Sequence, residues 1–170
     1  MNYEIKNIKS FMGEDCPGYN ATLYREGKKI AFLIDSGNGG MLDVQWADRD
    51  VKYVSVDWIN SDGKPVTFKC HPEEKLIRDS IRGKTWDFEG QDMGQIDLDH
   101  HLACLVQDAE NDARFKRMCK KETLFRLKTD PKGEYRRCPA VFSKRVKDLL
   151  LIKFGEIEVI LNEKYGQVAA

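Results

Sequence analysis

Residues 18–34, GYNATLYREGKKIAFLI, constrain the fold more tightly than any other part of the chain. Tyr19, Ala21 and Leu23 alternate with other residues, residues 30–34 are apolar, and Glu26-Gly27 stands between them. Successive side chains of a strand point to opposite faces, so alternation makes one face apolar. A dipeptide ending in glycine between two such runs supplies the backbone of a tight hairpin turn. The neighbouring sequence continues in the same manner. Tyr3, Ile5 and Ile8 alternate loosely ahead of it, and Leu42, Val44 and Trp46 alternate after it. Residues 51–59 put Val54, Val56 and Trp58 on one face, and an Asp62-Gly63 turn leads to a further strand around Val66-Thr67-Phe68. Between the hairpin and the third strand, Ser36-Gly37-Asn38-Gly39-Gly40 reads as a flexible loop.

The second half carries helical spacing instead. Pro72 opens a short helix bearing Leu76, Ile77 and Ile81, with Gly83 as its stop. Residues 84–96 hold Trp86 and Phe88 among glycines and acids and read mainly as loop. The longest helix begins at Asp97 or Asp99 and runs to about Lys121, with Leu98, Leu102, Leu105, Ala109 and Ala113 as one apolar stripe. Residues 124–128 and 134–138 flank Asp130-Pro131-Lys132-Gly133, which makes a second hairpin over about 124–138. Ser143 caps a helix to Phe154 that turns Val146, Leu149, Leu150 and Phe154 inward, with Gly155 beyond its end. Ile157, Ile160, Leu161 and Tyr165 share a face of a last short helix. The expected fold class is α+β in a single domain, residues 1–170, with 1–70 mainly β and 71–170 mainly α with a hairpin. An antiparallel β-sheet comes from the N-terminal half, with three or four helices packed on one face. The second hairpin either extends that sheet or projects as an arm, and an arm favours a homo-oligomer because exposed strand edges pair.

Charge and cysteine content narrow the chemistry. Lysine plus arginine number 28 and aspartate plus glutamate 28, so no overall charge steers the chain onto nucleic acid. No apolar run approaches the ~18 residues of a membrane span, and the opening MNYEIKNIKSF lacks the apolar segment of a secretory signal. Five cysteines, at 16, 70, 104, 119 and 138, form no CxxC pair. They read as reduced thiols in a cytosol, not as a disulfide framework or a zinc ribbon.

The charges are sorted along the chain. Residues 86–112 hold eight acids and no lysine or arginine, whereas residues 113–148 hold thirteen bases and four acids. Helix-dipole complementarity accounts for the switch along the long helix. The second hairpin needs another reason. Arg126, Lys128 and Arg136 share a face if the two strands pair, with Arg137 opposite and Tyr135 between them. Clustered arginines favour a bidentate phosphate or carboxylate, and an aromatic among them can stack a base. Those five residues and Trp86, an aromatic in an acidic segment, are the candidate ligand- or partner-binding residues.

Other patterns carry less. Asp97-Leu98-Asp99-His100-His101 invites a metal-assisted phosphodiester hydrolase, and on a helix His100, Cys104 and Asp108 form one row that suits zinc. Adjacent histidines diverge by about 100° around a helix, so His100 and His101 do not converge on one ion. Ser36–Gly40 is followed by a strand pattern, without the helix and Lys-Ser/Thr of a phosphate cradle. No GxSxG elbow occurs, so no catalytic residue is assigned and no cofactor is called for.

NYEIKNIKSF, GYNATLYREGKKIAFLID, CKKETLFRLKTDPKGEYRR and KRVKDLLLIKFG resemble a family of small proteins of tailed bacteriophages and prophages. The resemblance covers the first ~35 and last ~60 residues. It implies a phage accessory protein in bacterial host cytoplasm, often one that acts against host defences. Three readings follow. The first is a non-catalytic counter-defence factor that inhibits a bacterial immune protein by direct contact or sequesters a small nucleotide ligand. The second is a metal-assisted nucleotide hydrolase around Asp97, Asp99, His100 and His101, and the third a nucleic-acid-binding accessory protein using the bases of 113–148.

Overall fold

The structure is a computed structural model that describes residues 2–60 and 63–166, with the side chain of Phe88 and half of the expected Asp62-Gly63 turn outside the described residues. The fold is α+β with antiparallel sheets. The described residues fall into two compact units, within Met1–Ala109 and Glu110–Ala170.

In the first unit, β1 (Tyr3–Met12), β2 (Pro17–Arg25), β3 (Lys28–Asp35) and β4 (Asp43–Trp46) make a four-stranded sheet in that order. Glu26 and Gly27 turn the β2–β3 hairpin with φ of 51° and 81°. Two positive φ values give a turn whose twist matches that of the flanking strands. A bulge interrupts β1–β2 pairing between Lys6 and Lys9, with Asn7 at φ 57°. Ala21, Leu23, Ile30, Ala31 and Leu33 are buried against Ile77 of α1 (Pro72–Ile81) and Leu98, Leu102 and Val106 of α2 (Leu98–Cys119). β5 (Val54–Ile59) pairs with β6 (Pro65–Cys70), and their Val56, Trp58 and Cys70 bury Ile81. The stop expected at Gly83 lies one residue past the C-cap of α1, with φ 72°.

Residues 84–96 depart from the expected loop. They form the hairpin β7 (Thr85–Phe88) and β8 (Gln91–Gln95), turned by Glu89 and Gly90 with φ of 52° and 84°. The glycine loop is also less free than expected. The Gly37 carbonyl accepts the amides of Asp15 and Cys16, both at 2.9 Å, and its own amide donates to Asp35 Oδ1 at 2.9 Å. Gly37 has φ 67°, and a Cβ there would sit 2.3 Å from the Cys16 carbonyl oxygen. The glycine therefore permits two backbone segments to touch.

The second unit has its own sheet, β10 (Arg136–Cys138), β9 (Thr123–Leu127) and β11 (Ile157–Ile160), in that order. The second hairpin is thus neither an extension of the first sheet nor an arm, since β11 pairs along the other side of β9. Residues 157–160, expected as helix, are that strand. The spacing of Ile157, Ile160 and Leu161 suits a helix turn, but Gly155 at φ 69° breaks the chain before it and pairing with β9 decides its conformation. Only Leu161–Tyr165 is helical, as α4. α3 (Lys144–Phe154) starts at Ser143, whose Oγ accepts the Val146 amide. It buries Leu150, with Val146 and Phe154 partly covered, but Leu149 is 56% exposed. Leu149 lies one residue round from Leu150, about 100° on a helix, which turns it out of the packed face. The apolar stripe of α2 also shifts. Val106, Phe115, Met118 and Cys119 meet the cores, while Ala113 faces outward.

Candidate functional site

The hairpin cations already hold carboxylates. Arg136 grips Asp130 with two hydrogen bonds, at 2.8 and 2.7 Å. That contact, joined by the Leu127 amide, lowers the Asp130 carboxyl to about 2. Arg126 pairs with Glu158 at 3.0 Å and Lys128 with Glu156 at 3.2 Å, both acids lying at β11. Arg137 Nε donates to Glu122 Oε2 at 2.9 Å. Tyr135 packs edge-on to Phe115, and the Arg126 guanidinium stands over its ring. The arginine-and-tyrosine group read from sequence is therefore a set of neutralised pairs around a packed ring.

A different group of bases does converge. Arg114, Arg117 and Met118 stand at i, i+3 and i+4, which places them along one side of the end of α2, and Lys120 and Lys121 follow in the turn beyond it. The helix closes at Cys119, and the amides of Lys121 and Glu122 both donate to the Met118 carbonyl. The chain then enters β9, and pairing of Arg137 with Leu124 brings β10 back beside that turn. The result is an open groove of about 460 Å³ lined by Arg114, Arg117, Met118, Lys120, Lys121, Glu122 and Arg137. Met118, which lines the groove, belongs with Phe115 and Cys119 to an apolar cluster that includes Leu124 and Leu161. Asn162, fully buried, fastens the same corner. Its Oδ1 accepts the Leu124 amide at 2.8 Å, and its Nδ2 donates to the carbonyls of Cys119 and Glu122 at 2.9 and 2.8 Å.

The electrostatics of the groove follow from this inventory. Five bases and one acid line it, and Glu122 is taken by Arg137. Arg117, Lys120 and Lys121 have no acidic partner among the described residues. A helix C-terminus presents about half a negative charge, so one cation offsets the dipole and the others remain. Helix-dipole complementarity therefore explains only a part of this cluster.

The remaining candidates are set to separate tasks. Asp97 accepts the His100 amide at 2.7 Å and so caps α2, while Asp99 accepts the Leu42 amide at 3.3 Å. Burial raises the Asp99 carboxyl and lowers His101, to which Lys84 adds repulsion. His100 stacks on Trp86, ring centres 4.1 Å apart, and its Nε2 lies 3.4 Å from Cys104 Sγ. Trp86 thereby pins β7 to α2. Asp108 completes no metal site with His100 and Cys104, and among the described residues no three His, Cys, Asp or Glu side chains converge. Burial, then the Asp108 charge, raises the Cys104 thiol. His71, absent from the expected sites, is buried, caps α1 by accepting the Glu73 amide, bonds the Asp48 carbonyl at 2.8 Å and stacks on Trp46. No helix among the described residues is long and apolar enough to cross a membrane.

Compared with protein-family models, with curated proteins and with solved structures, the chain matches none.

Proposed function

We propose that this chain works by stoichiometric binding, with the groove at the end of α2 as its contact surface for an anionic partner. The single observation that carries the proposal is the convergence of Arg114, Arg117, Lys120, Lys121 and Arg137 around one open groove that contains one carboxylate. Like charges held together repel one another, and that repulsion is relieved when an anionic surface docks. The proposed setting is bacterial cytoplasm during phage infection, where the protein inhibits a host immune protein by direct contact. The likeness of the two ends of the chain to phage proteins supports that setting. Direct contact is preferred to sequestration of a nucleotide. Arg126, Arg136 and Arg137 are each bonded to a carboxylate, and Tyr135 has a guanidinium over its ring, so the hairpin lacks a free stacking platform beside free arginines.

The test uses a labelled 20-residue oligoglutamate and the full chain, followed by fluorescence anisotropy. Affinity is expected to fall as salt rises, because exposed charges are screened. Lys120→Glu with Lys121→Glu removes two attractions of about 1 kcal/mol each and adds repulsion, so affinity drops by about thirtyfold or more. Binding that ignores both salt and charge reversal overturns the proposal. So does clearance of a bound ligand by substoichiometric protein.

A further inference from the structure

We infer that the basic groove continues into an apolar seat, and that the pair fits an acidic polypeptide segment carrying one bulky apolar side chain. The inference rests on the binding reading above and narrows the contacted surface from any anionic surface to an acidic segment with an apolar anchor. Arg137 lines two hollows at once. One is the basic groove. The other, of about 310 Å³, lies between β10 and α3 and is walled by Cys138, Pro139, Ala140, Val146, Leu149 and Phe154. Its cations are Arg137 and Lys153, and no aspartate or glutamate lines it.

The outer side of α3 extends the apolar surface. Leu149 is 56% exposed and Ile152 82% exposed. Residues three and four apart are neighbours on a helix, so Leu149, Ile152 and Lys153 form one strip. A single exposed leucine needs no explanation. An exposed leucine that lines the hollow, an exposed isoleucine one turn along, and a shared arginine leading to a cationic groove form a surface of two characters. Covering apolar surface is favourable by about 25 cal/mol per Å², and the cations select the sign of whatever carries the apolar group.

Charge complementarity makes the occupant acidic, and the apolar half separates protein from nucleic acid. Phosphates satisfy only the basic side. The aromatic rings at the hollow offer a nucleobase no open face, since Phe154 has Arg136 and Lys153 against its ring and Phe125 is buried. A leucine or larger side chain flanked by glutamates or aspartates satisfies both sides.

The experiment compares three labelled probes against the full chain: a 12-residue Glu/Asp-rich peptide with a central leucine, the same peptide with serine there, and a single-stranded oligonucleotide of equal charge. The leucine peptide is expected to bind on the order of tenfold more tightly than the serine peptide. It is also expected to bind more tightly than the oligonucleotide. Leu149→Ser abolishes the leucine advantage and leaves the affinity of the serine peptide unchanged. The comparison of the two peptides is made on the unaltered chain, so it stands whatever the stability of the variant. Equal binding of the two peptides overturns this inference and leaves the binding reading intact, as does an oligonucleotide that binds as well as the leucine peptide. Failure of all three probes to bind overturns both.

Discussion

Replacing Asn162 with leucine keeps the branching of the side chain but removes three hydrogen bonds and adds bulk at a packed site. Asn162 is fully buried, and its amide bonds the Leu124 N–H and the carbonyls of Cys119 and Glu122. Cys119 is the last residue of α2, where carbonyls have no helical partner. Each bond contributes about 1 kcal/mol net, and each buried group left unpaired costs about 1–3 kcal/mol. Three such groups, partly relieved by water or small shifts, give an expected loss of about 3–6 kcal/mol. That is a large share of the ~5–15 kcal/mol that holds a domain folded. All three tryptophans, at 46, 58 and 86, lie in the first unit. Urea unfolding followed by far-UV circular dichroism, with hydrogen exchange at the Leu124 amide, is therefore the suitable assay. Asn162→Asp keeps the acceptor for Leu124 but turns a carboxylate oxygen toward two carbonyls, so its loss is at least as great. A loss under about 1 kcal/mol for Asn162→Leu, with the Leu124 amide still protected, refutes the reasoning.

Two further outcomes follow from the geometry. Arg136 and the Leu127 amide hold Asp130 at about 2 in the folded chain, below the ~3.9 of a free aspartate. The stabilisation from this contact is therefore full above about pH 4 and is lost as pH falls through about 2. Carboxyl carbon NMR should show Asp130 titrating near the low value, and Arg136→Gln should return it toward the ordinary one. Gly37→Ala forces a Cβ to within 2.3 Å of the Cys16 carbonyl at φ 67°, whereas Gly39→Ala, at φ 71°, meets nothing within 4 Å. In urea unfolding, Gly39→Ala should cost about 1–2 kcal/mol of backbone strain and Gly37→Ala distinctly more.

The first hairpin was legible because its turn and its alternation agree. Glu26-Gly27 and Glu89-Gly90 are the same dipeptide with nearly the same φ values. The second turn is hidden in sequence because only one of its strands shows alternation: Trp86 and Phe88 alternate in β7, but β8 carries glutamines, an acid and a glycine, mostly on exposed positions. The strand at Ile157–Ile160 is set by a partner about thirty residues earlier, Phe125 to Leu127, which spacing along the chain does not register. The candidate site was half legible. The block of bases over 113–148 is plain in sequence, but which of them are neutralised depends on Glu156 and Glu158, outside the block, and on how Arg136 reaches Asp130. The acids quench the hairpin and leave the helix end positive. Asn162 carried no signal at all, since a buried asparagine in a polar stretch looks like a surface residue until its three backbone partners are assembled.

The groove itself is tested most directly by locating a bound polyanion on the chain. Amide and side-chain NMR signals of the full chain are followed while unlabelled oligoglutamate is added at low salt. The expected result is a set of shifts confined to Arg114, Arg117, Lys120, Lys121 and Arg137, the bases that line the groove. Shifts centred instead on Arg126, Lys128, Tyr135 and Arg136, or no localised shifts at any concentration, contradict the assignment of the groove as the contact surface.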